Sequence, residues 1–391
     1  MKVLFVTREY PPFEVGGVAR HTFNLVRSLE GLGVDCRVVS FGDSSLSNDG
    51  VLFVEPSSSV LSRGNRPLGM DVRIPFDLAR FTGVVNALLA REGFDVVHVE
   101  EPYVGAFVRF PRKVTTVHDT SYGELRSIVN QGFSSPNLKR AFFYVYMGFF
   151  LERACMASSR LLVAPFAHVK RELLWKYGVA EPKVRVIGNG VELPRREELL
   201  DREVAKLKLG LVGVPLVFAA AQHVARKRLE TLVEAVRLLH LDGAGLRVVI
   251  AGDGPLRGQL AGLAKGYGLG EVVVLPGWVS REALGLYYRA ADVFVLTSEY
   301  EAGPISLLEA MSYGTSVVSS RIEGFPSLLR EGVDGLLFPV GDALALSECL
   351  RLMLGDEGLR RRSSEAGRAF AERFSWERVA EETLALYEEL V

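Results

Sequence analysis

The chain has 391 residues, 48% hydrophobic and 24% charged, with a net charge of -1. That length suits about two or three domains with sizeable cores, and the near-neutral balance carries no global signature of nucleic-acid binding. Cys36, Cys155 and Cys349 lie far apart in apolar contexts, which argues against a disulfide framework and for a reduced, cytoplasmic setting.

Charge is unevenly split. Residues 1–190 sum to +5 (23 Lys+Arg against 18 Asp+Glu) and the remainder to -6 (23 against 29). The basic first half is compatible with an acidic acceptor or a membrane surface, but ordinary scatter of surface charge is the preferred reading.

In chain order, Met1–Thr7 reads as a buried strand; its apolar part is too short for a signal peptide. A helix from about Gly17 to Leu32 and a strand over Asp35–Ser40 follow. The Ser-, Gly- and Pro-rich stretch 43–69 reads as loop with at most one short strand. Strands are then expected at Val96–Val99, Val114–Val117, Leu161–Ala164 and Val184–Ile187. The longest apolar run, Ala141 to Leu151, is too short to span a membrane and reads as a buried helix, with membrane contact as the alternative. Near Asn189-Gly190 the rhythm restarts, with strands at Leu216–Ala221, Arg247–Ala251, Val272–Leu275, Val293–Leu296, Ser316–Ser319 and Gly335–Phe338. Two doubly wound α/β domains of Rossmann type are therefore expected, facing each other across a cleft. Their bounds are 1–190 and 191–375, with a terminal helix over 376–391.

Ligands of parallel sheets bind beyond the carboxyl ends of the strands, so the loops there carry the chemistry. After the first strand, Gly16-Gly17 lets backbone amides approach an anion, although the dinucleotide fingerprint Gly-x-Gly-x-x-Gly is absent. His118 ends a strand and is expected to donate a hydrogen bond to a substrate hydroxyl or phosphate; a purely structural histidine is the competing reading. Arg226, Lys227 and Arg228 are expected to open a helix from Leu229, where three bases usually form a solvated face; beside a cleft the competing reading is a diphosphate clamp. Trp278 and Val279 follow another strand and suit contact with a base. No linear metal motif and no Gly-x-Ser-x-Gly elbow occurs, so no metal is expected.

The segment Glu301-Ala-Gly-Pro-Ile-Ser-Leu-Leu-Glu309 joins a strand to a helix expected over Pro304–Tyr313, ending at Gly314. The amides of Ile305 and Ser306, beside Gly303 and Pro304, would face an anion. Carboxylates repel phosphate, so Glu301 and Glu309 are expected to hold hydroxyls on either side of one.

This ordered set resembles a known family: the retaining, nucleotide-sugar-dependent glycosyltransferases of the GT-B fold, glycosyltransferase family 4. The resemblance runs through Gly16-Gly17, Asp95-Val-Val-His98, His118-Asp119, Asn189-Gly-Val-Glu192, Lys227 and Gly252-Asp-Gly-Pro255. It continues through Glu301 with Glu309, Gly335-Leu-Leu-Phe-Pro339 with Asp342, and Phe374-Ser-Trp376 with Tyr387. It implies that Glu309 binds the ribose, Glu301 the donor sugar and Lys227 the diphosphate, aided by Arg226 and by the amides of Gly16, Gly17, Ile305 and Ser306. It also implies that His118 contacts the sugar near the reacting carbon, that Trp278 and Val279 meet the base, and that the last helix crosses back to the first domain. The expected activity is transfer of a hexose from a UDP- or GDP-sugar to a carbohydrate, lipid-linked or small-molecule hydroxyl, with retention and without a metal or other cofactor. A cytoplasmic location, with peripheral membrane contact through the first domain, is compatible with this. Alternatives are a nucleotide-sugar epimerase or sugar phosphorylase of the same fold, or a non-catalytic partner subunit. Gln222 stands where the family usually has arginine, Gly303-Pro304 where Phe-Gly is commonest, Ser327 at a frequent glutamate and Glu323 at a frequent glycine. These departures bear on sugar and nucleotide preference.

Overall fold

The computed structural model describes the chain except for 14–16, 58–73, 124, 126–140, 142–143, 242, 244, 302 and 323–328, and the side chains of 147–149. Gly16, Glu323 and Ser327 thus lie outside the described residues. The chain divides into two compact units, Met1–Gly190 with Trp376–Val391, and Val191–Ser375.

The first unit is built on seven strands: β1 (Lys2–Val6), β2 (Asp35–Phe41), β3 (Val51–Val54), β4 (Val96–Val99), β5 (Lys113–Thr116), β6 (Leu161–Ala164) and β7 (Val184–Val186). All ladders are parallel, in the order β3-β2-β1-β4-β5-β6-β7. Alternation along β1 sends Val3 and Phe5 to one face and Leu4 and Val6 to the other, and each pair joins a separate core. The first core is covered by the helices Gly17–Gly31 and Trp376–Glu388, the second by Ile74–Arg91. The last helix is anchored through Tyr387, whose hydroxyl lies 2.5 Å from His98 Nδ1. At Gly190 a Cβ would come within 2.3 Å of the Trp376 ring, so glycine is what lets the chain pass that indole.

The second unit carries β8 (Leu216–Ala220), β9 (Arg247–Ala251), β10 (Val273–Gly277), β11 (Val293–Leu296), β12 (Ser316–Ser320) and β13 (Gly335–Phe338). Its order is β10-β9-β8-β11-β12-β13, again parallel. Both faces are packed, one largely by Val, Leu and Ile and the other with Phe218 and Phe294 against Tyr288, as an internal parallel sheet requires. Gly252, at φ +118, turns the chain out of β9; a Cβ there would strike the Ala221 carbonyl at 2.0 Å. Asp342 caps the helix Ala343–Gly355, its side chain accepting from Ala345 N at 2.9 Å.

The one short strand allowed within the stretch read as loop is Val51–Val54, which pairs with β2 at the edge of the sheet. One expectation needs correction. The run 141–151 is not simply buried: Val145, Tyr146 and Phe150 are exposed, because its apolar residues exceed what one face can cover. Among the described residues no helix is long and apolar enough to cross a membrane.

Candidate active site

In each sheet the strand order reverses once, between β1 and β4 and between β8 and β11. Loops diverge at such a point and leave room for a ligand. In the second unit these loops are 221–228 after β8 and 297–304 after β11. Two hydrogen bonds tie them: Glu299 N donates to the Arg226 carbonyl at 2.9 Å, and the Thr297 side chain, through Oγ1, to the Lys227 carbonyl at 2.6 Å.

The three bases do not open the helix as expected. Ala225–Lys227 forms a short turn, and Arg228, at φ 49 and ψ 37, breaks it from the helix Leu229–Leu241. The reversal separates their partners. Arg228 Nε pairs with Glu299 Oε2 at 2.9 Å, whereas Lys227 and Arg226 turn to Glu301.

Glu301 is buried, and three side chains hold its carboxylate. Lys227 Nζ donates to Oε1, Ser298 Oγ donates to the same oxygen at 2.6 Å, and Arg226 Nη1 lies 3.6 Å from Oε2. Burial alone would raise this carboxyl. The Lys227 and Arg226 charges, with the two hydrogen bonds, outweigh it and hold the group below the usual carboxylate range. Two cations against one carboxylate leave a surplus positive charge here, suited to an anion, beside an acceptor suited to hydroxyls.

The following helix spans Ile305–Ser312, one residue shorter at each end than expected. Pro304 caps it rather than beginning it, since ψ 75 is not helical; its carbonyl accepts from Leu307 and Leu308. The Ile305 amide is not an open donor: it bonds the Gly303 carbonyl at 2.9 Å in a tight turn that precedes the helix. Glu309 is half-buried and accepts from Tyr288 Oη at 2.8 Å. Trp278, at the end of β10, is 57% exposed, and Val279 is half-buried.

In the first unit Gly17 begins the helix Gly17–Gly31 and is exposed. His118 follows β5 by two residues, and its Nε2 lies 2.8 Å from Glu100 Oε2. Glu100, just beyond β4, is fully buried. His21 Nε2 and His98 Nε2 each lie 3.9 Å from it, while His98 also bonds Tyr387 and, at 2.7 Å, Thr116 Oγ1. Burial opposes ionisation of Glu100, but the His98 ring and the His118 hydrogen bond bring its carboxyl down to about 2. Burial pushes His21 down to about 3, with His118 adding to the effect. One potential ligand atom each from His21, Glu100 and His118 lies within 4.8 Å of the others, a donor set of the kind that holds a transition metal. Linear motif searches do not see this trio, because three separate elements assemble it. Sequence reasoning missed Glu100 and His21, which face His118, and Ser298 and Tyr288, which bond Glu301 and Glu309; the one available signal was the position of Glu100 and Ser298 at strand ends.

A family described as Glycosyl transferases group 1 matches residues 201–370, and one described as Glycosyltransferase Family 4 matches residues 15–195. The chain is 30% identical over 333 residues to a D-inositol 3-phosphate glycosyltransferase 1 of Catenulispora acidiphila, covering 80% of this chain and 76% of that one. Sucrose-phosphate synthase of Thermosynechococcus elongatus superposes with a TM-score of 0.82 at 22% identity, over 100% of this chain and 98% of that one. HepE of Anabaena, solved with UDP-glucose, gives 0.73 at 18% identity over the full length of both. The chain belongs to the family 4, group 1 glycosyltransferases and has their GT-B fold.

Proposed function

We propose that the enzyme transfers a hexose from a UDP- or GDP-sugar to a hydroxyl acceptor, with retention at the anomeric carbon and without a metal. The observation that carries this reading is Glu301, a buried carboxylate kept charged by Lys227, Arg226 and Ser298 at the switch point of the second sheet. A carboxylate so held accepts sugar hydroxyls, and the surplus positive charge beside it suits the diphosphate. On donor binding Lys227 would shift part of its bonding from Glu301 to a phosphate oxygen, where charge grows as the leaving group departs. Glu309, steadied by Tyr288, is assigned to the ribose, and the exposed Trp278 with Val279 to the base. That HepE was solved with UDP-glucose supports this class of donor.

The acceptor hydroxyl would attack on the face from which the nucleoside diphosphate leaves. The bond from the anomeric carbon to the phosphate oxygen breaks, the bond to the acceptor oxygen forms, and the acceptor proton passes to a leaving phosphate oxygen. No protein nucleophile is consumed; the protein supplies positioning and charge. From the first unit, His118 is assigned to the donor sugar near the reacting carbon. Transfer measured in EDTA tests the metal-free reading: full activity supports it, and loss restored by Mg²⁺ contradicts it.

A further inference from the structure

Among the described residues the Glu100 carboxylate makes one hydrogen bond of ordinary length, to the His118 ring. It is 0% exposed, its Oε2 lies 2.8 Å from His118 Nε2, and its Oε1 has no hydrogen-bond partner among the described residues. The other rings facing it stand off: His21, from the helix Gly17–Gly31, and His98, on β4, are each 3.9 Å away. Tyr387, from the last helix, spends its hydroxyl on His98. A carboxylate is acceptor-only, and this one stays ionised to well below neutral pH. The proton between Glu100 and His118 therefore belongs to His118 Nε2.

That assignment decides what His118 offers to anything else. With Nε2 committed as a donor to Glu100, the second nitrogen, Nδ1, carries a lone pair in the neutral ring and accepts rather than donates. The ring itself is fixed in orientation. It meets His21 edge-on with centroids 4.5 Å apart, and His21 in turn lies edge-on to Trp376 at 5.2 Å. The His118 side chain is 11% exposed, so only a narrow part of it is open.

We infer that Glu100 is a positioning residue: it locks His118 as the Nε2–H tautomer, so that Nδ1 accepts a hydrogen bond from a hydroxyl of the donor sugar. This reverses the donor role expected of His118 from sequence. It rests on the assignment of His118 to the donor sugar, and the test separates the two.

Full-length protein carrying isotopically labelled histidine is compared with Glu100→Leu and Glu100→Gln by long-range proton–nitrogen correlation. The chain has six histidines, and the His118 signals are those missing from His118→Asn. In wild type the neutral His118 ring should be wholly Nε2–H. Glu100→Leu, which removes the acceptor, should show a mixture with Nδ1–H. Its kcat should fall about 100-fold with the donor KM held within about threefold, the pattern of an interaction used in the transition state. Glu100→Gln keeps a carbonyl oxygen for Nε2–H and should recover part of both signatures, which guards against a simple folding defect.

An Nδ1–H ring in wild type, or an unchanged tautomer in Glu100→Leu, overturns the proposal. A shifted tautomer with unchanged kcat keeps the lock but removes His118 from the reaction. Stoichiometric zinc in the purified protein, lost on substituting His21, Glu100 or His118, also overturns it, since the trio would then be metal ligands.

Discussion

Each unit has a buried carboxylate past the fourth strand of its own sheet that meets expected site residues, Glu100 after β4 and Glu301 after β11, and the two strands occupy the same place in matching strand orders. Their surroundings differ in kind. Glu301 faces the Lys227 ammonium and the Arg226 guanidinium, two cationic side chains. Glu100 faces three imidazoles, His21, His98 and His118, whose charge depends on pH and on a chosen nitrogen. The second unit therefore offers a fixed electrostatic site, suited to an anionic donor, and the first offers a site where the position of a proton matters.

The fixed-charge side of this contrast breaks most sharply at Lys227. Lys227→Ala should lower kcat by about 100- to 1,000-fold, since one preorganised contact to developing charge is worth about 3 to 4 kcal/mol. Steady-state transfer at the wild-type rate would show that Lys227 merely neutralises Glu301.

The titratable side is read at His21. Its ring titrates near 6.5 when exposed and at about 3 when buried in the fold, so between those values the unfolded chain binds the extra proton. The fold must then lose stability as pH falls through that window. Glu100 acts in the same direction but lower, its contribution complete above 4.5 and lost toward about 2. Burial raises Glu101 and Glu152, which oppose this trend, so the His21 part is taken as a difference from a variant. In denaturant unfolding of wild type and His21→Leu, the wild type should lose about 2 kcal/mol relative to the variant between pH 7 and 5. A difference that does not move with pH would mean that His21 is not held neutral.

A smaller effect belongs to Glu309, whose partner is the neutral hydroxyl of Tyr288. Glu309→Ala should weaken nucleotide affinity by about tenfold, the loss of one or two hydrogen bonds, with little change in kcat. Calorimetry that finds equal affinity would remove it from the ribose.

The contrast also explains what could be read from the chain alone. Glu301 and Lys227 stood out because each lies in a loop directly after an apolar strand, beside small residues or clustered bases. The parallel α/β sheets were legible for the same reason: buried parallel strands are nearly continuous runs of Val, Leu and Ile. Glu100 was not legible as a partner of His118, because their meeting depends on β4 lying between β1 and β5, a fact of sheet order rather than of spacing. The Ile305 amide misled because only the observed backbone shows it bonded to Gly303. The bases at 226–228 misled because a left-handed arginine interrupts what reads as one helix.

Thermal unfolding of the full-length protein and of Lys227→Ala, with UDP-, GDP- and ADP-sugars in EDTA, tests the central claim most directly. A ligand held at about 100 times its Kd adds about 2.7 kcal/mol to the native state. One UDP- or GDP-sugar should raise the wild-type midpoint by several degrees and leave Lys227→Ala nearly unmoved. No shift with any nucleotide sugar, or the same shift in both proteins, would contradict the account.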